Sequence, residues 1–460
     1  MIVSELPDLD SSLAYMRALG KPTVAQLLDE TASRARPLIQ PRCGVGGHEA
    51  MRALLTGLEA TAAPDIATVT VDSHTRLLRF DSVRAALAAD PASLNGYPLV
   101  THGWRRGREL NEAVAAPIQV RHGSPDARQL FAVSIASGFT SFEGGGIGYN
   151  VPYAKDVPIT ESLRSWQQID RMAGEITAAG VTIDRELFGT LTGVLMPPSI
   201  CLATTLLEAV LAAAQGVRCL SISYPQGGHP WQDLAALRAI TALAAHYLAD
   251  RPEVRVHTVL HQFMGVFPAD RDRAVELIGY GGLIAARGRA AKVITKSPAE
   301  ASGIPTMAEN AVGLVTTRFG MSAAFDWFAL DEEAIAREQD AIEREVRELI
   351  DPVLDAPDLI DSIGVAFAEG RLDVPFPASR FVRGEVISCR DPQGAIRFAR
   401  FGNLPFGTRS RRENDQRLER TAGTPVDSAG LVRDVEYFAR ACEPDPLRWL
   451  HPTPAGARTC

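Results

Sequence analysis

The segment Ala116–Tyr153, APIQVRHGSPDARQLFAVSIASGFTSFEGGGIGYNVPY, concentrates side chains able to do chemistry. It carries a guanidinium (Arg121), an imidazole (His122), a carboxylate (Glu143), three consecutive glycines (Gly144, Gly145, Gly146) and two tyrosines (Tyr149, Tyr153). Each half has the same form: an apolar run ends at a charged residue, with glycine close behind. A strand that stops at a charge and turns on glycine presents that charge at the carboxyl edge of an α/β sheet. Two ordinary strand–turn junctions would look alike. The glycines argue otherwise, because their entropic cost is usually kept where backbone approaches a ligand closely. Gly144–Gly148 (GGGIG) also resembles a phosphate-binding loop, a weak signal by itself.

The same junction recurs along the chain. Pro37-Leu-Ile-Gln-Pro stops at Arg42, and Ile66–Val71 stops at Asp72 with Arg76 beyond. Cys219–Ser223 ends at Tyr224, Val254–Leu260 at His261, and Ala291–Thr295 at Lys296. Helical patterns lie between, at His48–Leu58, Asp81–Ala89, Glu109–Ala115, Ile159–Ala179, Cys201–Gln215, Pro230–Ala249 and Asp270–Gly279. Strand, reactive residue, helix, repeated about eight times, predicts an α/β fold: a (β/α)8 TIM barrel over residues 37–327. A doubly wound open sheet is the alternative, although no GxGxxG follows the first strand and no Walker A sequence occurs. Residues 1–36 read as an N-terminal helical extension, with Ser11-Ser12 capping Leu13–Leu19 and Thr23 capping Val24–Arg34. Residues 328–460 read as a charged helix, Asp331–Val353, then a small α+β region of short strands and turns. The tail from Pro452 is expected to fray.

The 460 residues can bury a large core, and 46% apolar and 22% charged residues are ordinary for a globular protein. A net charge of -8 argues against nucleic acid or an anionic membrane as the main partner, but permits an anionic small molecule in a local cationic pocket. None of the six cysteines forms a CxxC pair or a zinc pattern, which suits reduced thiols in a cytoplasmic protein. The opening MIVSELPDLD has no signal-peptide character. The most apolar window, Cys201–Ala214, is too short to span a bilayer and contains Glu208, so it reads as a buried helix.

Arg42, Arg76 and Arg121 lie at or just past three predicted strand ends. A planar guanidinium matches carboxylate geometry, so three at one barrel mouth would hold a dicarboxylate. Pairing with neighbouring acids such as Asp72 or Asp126 is the plainer alternative for each arginine. Glu143 would accept hydrogen bonds from a substrate ammonium, or else serve as an arginine counter-ion. Tyr149 and Tyr153 supply an amphipathic wall. His122, His261, His48 and His74 near strand ends suggest a metal site, but no HxH pair occurs and nearby arginines disfavour a divalent cation, so no metal is expected. Lys296 with Glu300 at i+4 is a surface ion pair or a pair facing the mouth.

Taken together, QPRCGV (40–45), VDSHTR (71–76), LNGYP (94–98), IQVRHGSPDAR (118–128), TSFEGGGIGYNVPYAK (140–155), FGTLTG (188–193), HQFMGVFP (261–268) and KVITKSPAEASGIPT (292–306) resemble the large (epsilon) subunit of methylaspartate mutase, also called glutamate mutase. Asp373-Val-Pro-Phe and Phe401-Gly-Asn-Leu-Pro-Phe extend the resemblance more weakly. It implies a TIM barrel that docks a small cobalamin-binding (sigma) subunit over its mouth, within a heterotetramer built on a homodimer of the large chain. The implied reaction interconverts L-glutamate and L-threo-3-methylaspartate with adenosylcobalamin, held mainly by the small subunit. The resemblance gives Arg42, Arg76 and Arg121, with His122 alongside, the substrate carboxylates. It gives Glu143 the substrate amino group, and Tyr149 and Tyr153 the substrate lining. Arg121 and Glu143 are the implied catalytic pair. Cofactor contacts carry over to Gly44, Asn95, Pro152, Phe267, Lys296, Glu300 and Ile304. The cobalamin-ligating pattern DxHxxG is missing: Asp72-Ser-His74 continues as Thr-Arg-Leu. A separate cobalamin carrier is therefore expected. The chain departs from the family at Gly148, Thr190, Phe263, Val266 and the loop Tyr224–His229. A metal-dependent barrel hydrolase or lyase, and a non-catalytic homologue binding an acidic ligand, are the competing readings.

Overall fold

The computed structural model describes residues 6–33, 36–419, 427–440, 445 and 447. Eight parallel strands, β1 (Leu38–Gln40), β2 (Ala67–Thr70), β3 (Ile118–Arg121), β4 (Ser141–Glu143), β5 (Asp184–Leu187), β6 (Cys219–Pro225), β7 (Arg255–His261) and β8 (Lys292–Ile294), form one sheet in the order β1-β8-β7-β6-β5-β4-β3-β2. At the remaining seam Pro41 has no N–H to donate, and β1 leaves the ladder. Backbone bonds still bridge β1 to β2 at both ends, from Asp65 N to Ile39 O (3.0 Å) and from Thr70 N to Cys43 O (2.9 Å). The expected barrel is thus formed, and the open-sheet alternative falls.

Helices α1 (Leu9–Ala18) and α2 (Val24–Asp29) precede β1. Asp8, not Ser11 or Ser12, caps α1, so that helix starts a turn earlier than expected. Thr23 does cap α2, in a reciprocal capping box with Gln26. The outer ring then runs α3 (His48–Ala62), α4 (Ser73–Arg76), α5 (Phe80–Ala89), α6 (Leu99–Glu112), α7 (Arg128–Ala136), α8 (Ile159–Ala178), α9 (Pro198–Ala214), α10 (Pro230–Tyr247), α11 (Arg271–Arg287) and α12 (Met307–Gly320). Helix α6 is longer than the predicted Glu109–Ala115. It kinks at Gly103 (φ 81°), which broke the periodicity.

The barrel interior is polar, whereas branched aliphatics usually fill it. Gln40 donates to Thr68 Oγ1 (2.9 Å) and Gln119 Oε1 (2.6 Å), and Gln119 donates to Ser141 Oγ (2.7 Å). Ser141 and Ser221 donate to Asp184 (2.6 and 2.7 Å), with Lys292 Nζ 3.8 Å from the same carboxylate. Strand alternation sends Ile39, Val69, Val120, Leu220 and Val293 outward, and the main hydrophobic core lies between sheet and helices.

Helix α13 (Glu332–Leu354) buries Ile335, Ile342, Val346, Leu349 and Ile350 and packs on α9 and α10. Helix α14 (Leu359–Glu369), an antiparallel hairpin of β9 (Ile387–Arg390) and β10 (Ile396–Arg400), α15 (Thr408–Leu418) and α16 (Ser428–Val435) follow. This region lies over the loops after β4 to β7. Ala378 N and Ser379 N donate to Val151 O (3.0 and 3.1 Å), Ser388 Oγ to Leu195 O (2.6 Å), and Phe438 packs on Phe263 (ring centroids 4.8 Å). Among the described residues, the backbone–backbone hydrogen bonds from this region to the barrel loops go to the loop after β4, at Val151 and Lys155. The tail expected to fray lies outside the described residues.

Candidate active site

Four side chains meet at the carboxyl ends of neighbouring strands. Arg121 ends β3, Glu143 ends β4, Glu186 lies opposite Glu143 in β5, and His261 ends β7. All four are buried. Arg121 Nη1 donates to Gln119 Oε1 (2.9 Å) and Glu186 Oε1 (3.0 Å). Its Nη2 donates to the Glu143 carboxylate and to His261 Nε2 (3.0 Å). Tyr149 donates its hydroxyl to the other oxygen of Glu143. Burial opposes the Arg121 charge, but Glu143 and Glu186 outweigh it and keep the guanidinium protonated.

The two carboxylates differ. Burial pushes Glu143 up to about 7 against the pull of Arg121. Burial works against Glu186 as well, yet Lys292 and Arg121 outweigh it and hold Glu186 well below the usual carboxylate range. Burial and the Arg121 charge push His261 down to about 3, so its ring is neutral. Glu143, Glu186 and His261 offer three ligand atoms within 4.8 Å of one another, a group that could hold a metal ion. The Arg121 guanidinium already bonds to all three and supplies the cation there.

Arg42 follows β1, half-buried, with Nη1 3.6 Å from Met264 Sδ and 3.7 Å from Glu300 Oε1. Arg76 ends α4 and lies over the Tyr153 ring, its Cζ 5.0 Å from the centroid. The Arg76 Nε is buried with no hydrogen-bond partner. Burial raises the Tyr153 hydroxyl pKa, and the charges of Arg42, Arg76 and Arg121 all oppose that rise. Of the three arginines, Arg76 touches the Tyr153 ring, while Arg42 and Arg121, after β1 and at the end of β3, act on its hydroxyl through their charge. Their suggested acidic neighbours are engaged elsewhere: Asp72 caps α4, and Asp126 pairs with Arg128 (2.6 Å).

Tyr149 packs against Tyr153 (5.9 Å) and Phe188 (4.9 Å). His122 stacks on Trp166 (5.7 Å, 7° between planes), and its Nδ1 accepts from Ser124 N (3.0 Å). Burial and the nearby Arg185 hold the His122 ring neutral, with its proton on Nε2.

The triple glycine has a different cause from the one expected. A Cβ at Gly144 would strike Tyr149 and Trp166, one at Gly145 the Glu208 carboxylate, and one at Gly146 the backbone of Leu163. The loop yields space to its own protein. Its resemblance to a phosphate loop has a physical basis, because Glu208 Oε1 accepts from Ile147 N (2.5 Å) and Gly148 N (3.0 Å). An internal carboxylate from α9 fills that anion cradle.

The positions assigned to the cofactor all lie on carboxyl-end loops. Gly44 packs on the Thr70 backbone, and Asn95 accepts from Ser73 N (3.0 Å). Phe267 is buried, Pro152 half-buried, and Ile304 is 51% exposed. Lys296 and Glu300 form an ion pair; burial lowers the lysine to about 8. Sequence reasoning missed Glu186 and its partner Lys292. The alternation of Asp184 and Glu186 within one short strand was the available signal.

Comparisons with known proteins agree with this geometry. The family model described as "Methylaspartate mutase E chain (MutE)" matches residues 21–429. A glutamate mutase epsilon subunit of Desulfitobacterium hafniense is 41% identical over 422 residues, covering 90% of this chain and 87% of that protein. One from Halobacterium salinarum is 44% identical over 393 residues (84% and 82%), and one from Escherichia coli O157:H7 is 39% identical over 379 (81% and 78%). Matched to that model over residues 21–429, this eight-stranded barrel belongs to the methylaspartate mutase E chain family.

Proposed function

We propose that this chain is the catalytic large subunit of a glutamate mutase, interconverting L-glutamate and L-threo-3-methylaspartate. Adenosylcobalamin is carried mainly by a separate small cobalamin-binding subunit, and two large chains join two small ones in a cytoplasmic heterotetramer. The names of the relatives support the reaction. The observation that carries it to the residues is the position of Arg42, Arg76 and Arg121 on the carboxyl-end segments of β1, β2 and β3, with Arg76 over the Tyr153 ring.

Arg42 and Arg76 have guanidinium edges available for carboxylates, and the unpartnered Arg76 Nε is a buried donor of the kind a bound anion satisfies. Glu143 receives the substrate ammonium, and Tyr149 and Tyr153 wall the carbon chain. The rim formed by the loops after β8, β1 and β2 fits a cofactor presented by another subunit, with Leu77, Leu78 and Ile304 exposed on those loops. Gly44, Asn95, Lys296, Glu300 and Ile304 would meet the cofactor there, and Pro152 and Phe267 would meet it from the loops after β4 and β7. When bound, adenosylcobalamin supplies a carbon radical by homolysis of its cobalt–carbon bond, chemistry that no side chain here provides. The chain's own work is positional. Fixing both carboxylates keeps the parts of a rearranging skeleton in register. The covered half of the mouth keeps out water and other molecules that would quench a radical.

The test combines the chain with a cobalamin-binding small subunit, adenosylcobalamin and L-glutamate, coupled to methylaspartate ammonia-lyase. Mesaconate absorbance in the ultraviolet is expected; its absence with a competent small subunit rejects the reading. Loss of turnover to a chelator would instead favour a metal at Glu143, Glu186 and His261.

A further inference from the structure

Two anions hold Arg121, and they hold different edges of it. Both Nη1 contacts point into the barrel, to Gln119 and Glu186. Glu186 is completely buried, and its two oxygens serve groups from three other strands. Oε1 takes Arg121 (3.0 Å) and lies 3.2 Å from His261 Nε2; Oε2 takes Gln119 Nε2 (2.9 Å) and lies 2.6 Å from Lys292 Nζ. Lys292 is itself completely buried, with Asp184 beyond it at 3.8 Å. Charges therefore alternate down the barrel axis: Glu143, Arg121, Glu186, Lys292, Asp184.

Such a column is costly to bury unless every member is compensated. Its geometry explains what the cost secures. A guanidinium at a barrel mouth can rotate about its long side chain. Tying Nη1 to a carboxylate that is itself fixed by Gln119 and Lys292 leaves the Nη2 edge as the one that faces Glu143 and the mouth.

We propose that Glu186, braced by Lys292, is a positioning residue for substrate binding: it orients Arg121 so that one guanidinium edge stays aimed at a substrate carboxylate. This rests on the reading of Arg121 as a carboxylate-binding residue given above. It predicts a loss of uniform binding, seen in KM, rather than a loss confined to the chemical step.

The experiment measures KM and kcat for L-glutamate in the reconstituted holoenzyme with three variants. Glu186→Gln takes from Lys292 its 2.6 Å carboxylate partner, leaving Asp184 at 3.8 Å, and lowers stability. The double variant Glu186→Gln with Lys292→Met removes both charges and restores the balance, but not the anchor. Glu186→Asp keeps the charge and shortens its reach. A positioning role raises KM about tenfold or more in the double variant, and in Glu186→Asp by less, with kcat changed far less than KM. If Glu186 served only to neutralise Lys292, the double variant would recover the wild-type KM, and that result overturns the inference. Should the double variant fail to fold, Glu186→Asp decides alone, and a wild-type KM in it is equally fatal. An inactive wild-type holoenzyme would instead strike at the mutase reading, so the two failures are distinguishable.

Discussion

Glu143 and Glu186 are the same residue type, on adjacent strands, equally buried and bonded to the same guanidinium. Lys292 lies under one of them and not the other, and with the His261 hydrogen bond it lowers Glu186, while the Glu186 charge raises Glu143. Glu143 loses its proton at about 7. Only the ionised form can receive an ammonium as a charge-assisted acceptor. Because this pKa is raised, the neutral form dominates below about 7 and the ionised form grows as pH rises. The value of kcat/KM should therefore fall on the acid side of neutrality. In the bound complex the ammonium favours the carboxylate, so the corresponding limb of kcat lies at lower pH. Glu143→Gln should lose this acid limb and lower kcat/KM by about 10- to 100-fold, the worth of one charge-assisted hydrogen bond. A pH–rate profile for that variant with the limb still in place would assign the titration to another group.

Elements were readable wherever period and charge agreed. The strands ending at Arg121, Glu143, His261 and Lys296 were visible because an apolar run stopped at a charge, and those ends hold the site. Three arginines on separate strands could be seen to suit a diacid, but not that Arg121 spends its Nη groups inside the protein. The polar barrel axis was hidden for a related reason: Asp184, Glu186 and Lys292 look like surface residues until strand alternation turns them inward. Helix α15 was missed because Thr408–Leu418 is polar at nearly every position. It is held by contacts such as the mutual hydrogen bonds of Asn414 with Phe398. The triple glycine was noticed and misattributed, since nothing local shows Glu208 arriving from α9. That carboxylate makes the loop testable as an element. Burial lifts Glu208 to about 7, although two backbone N–H groups pull it down. The folded chain thus keeps a proton that the unfolded chain surrenders near 4.5. This group's contribution is complete below about pH 4.5 and is lost as pH rises towards 7, a change of about 3 kcal/mol. Glu208→Gln cannot titrate, so its melting temperature should decline less than the wild type's between pH 5 and pH 8. Parallel melting curves would remove Glu208 from the account of pH dependence.

At the scale of the molecule, the C-terminal region lies over the loops after β4 to β7, on one side of the mouth. One of its attachments to the barrel is organised by a single buried carboxylate. Asp373 accepts from Val374 N (2.9 Å), Gly384 N (2.8 Å), Glu385 N (2.7 Å) and Val386 N (3.2 Å), gathering residues 373–386 into a closed loop. Ala378 and Ser379 of that loop donate to Val151 O, and Arg380 N donates to Lys155 O (3.1 Å). Val151 lies between Tyr149 and Tyr153, so the loop braces the segment that we propose walls the substrate. Asp373→Ala leaves several buried N–H groups unsatisfied and should cost about 3–5 kcal/mol of stability. If the brace reaches the site, KM for L-glutamate rises several-fold at a temperature where the variant remains folded, while the Glu143 acid limb stays where it was. That combination separates displacement of the tyrosine wall from damage to the charged column below it. A lowered melting temperature with an unchanged KM would mean that the region stabilises the barrel without shaping its mouth.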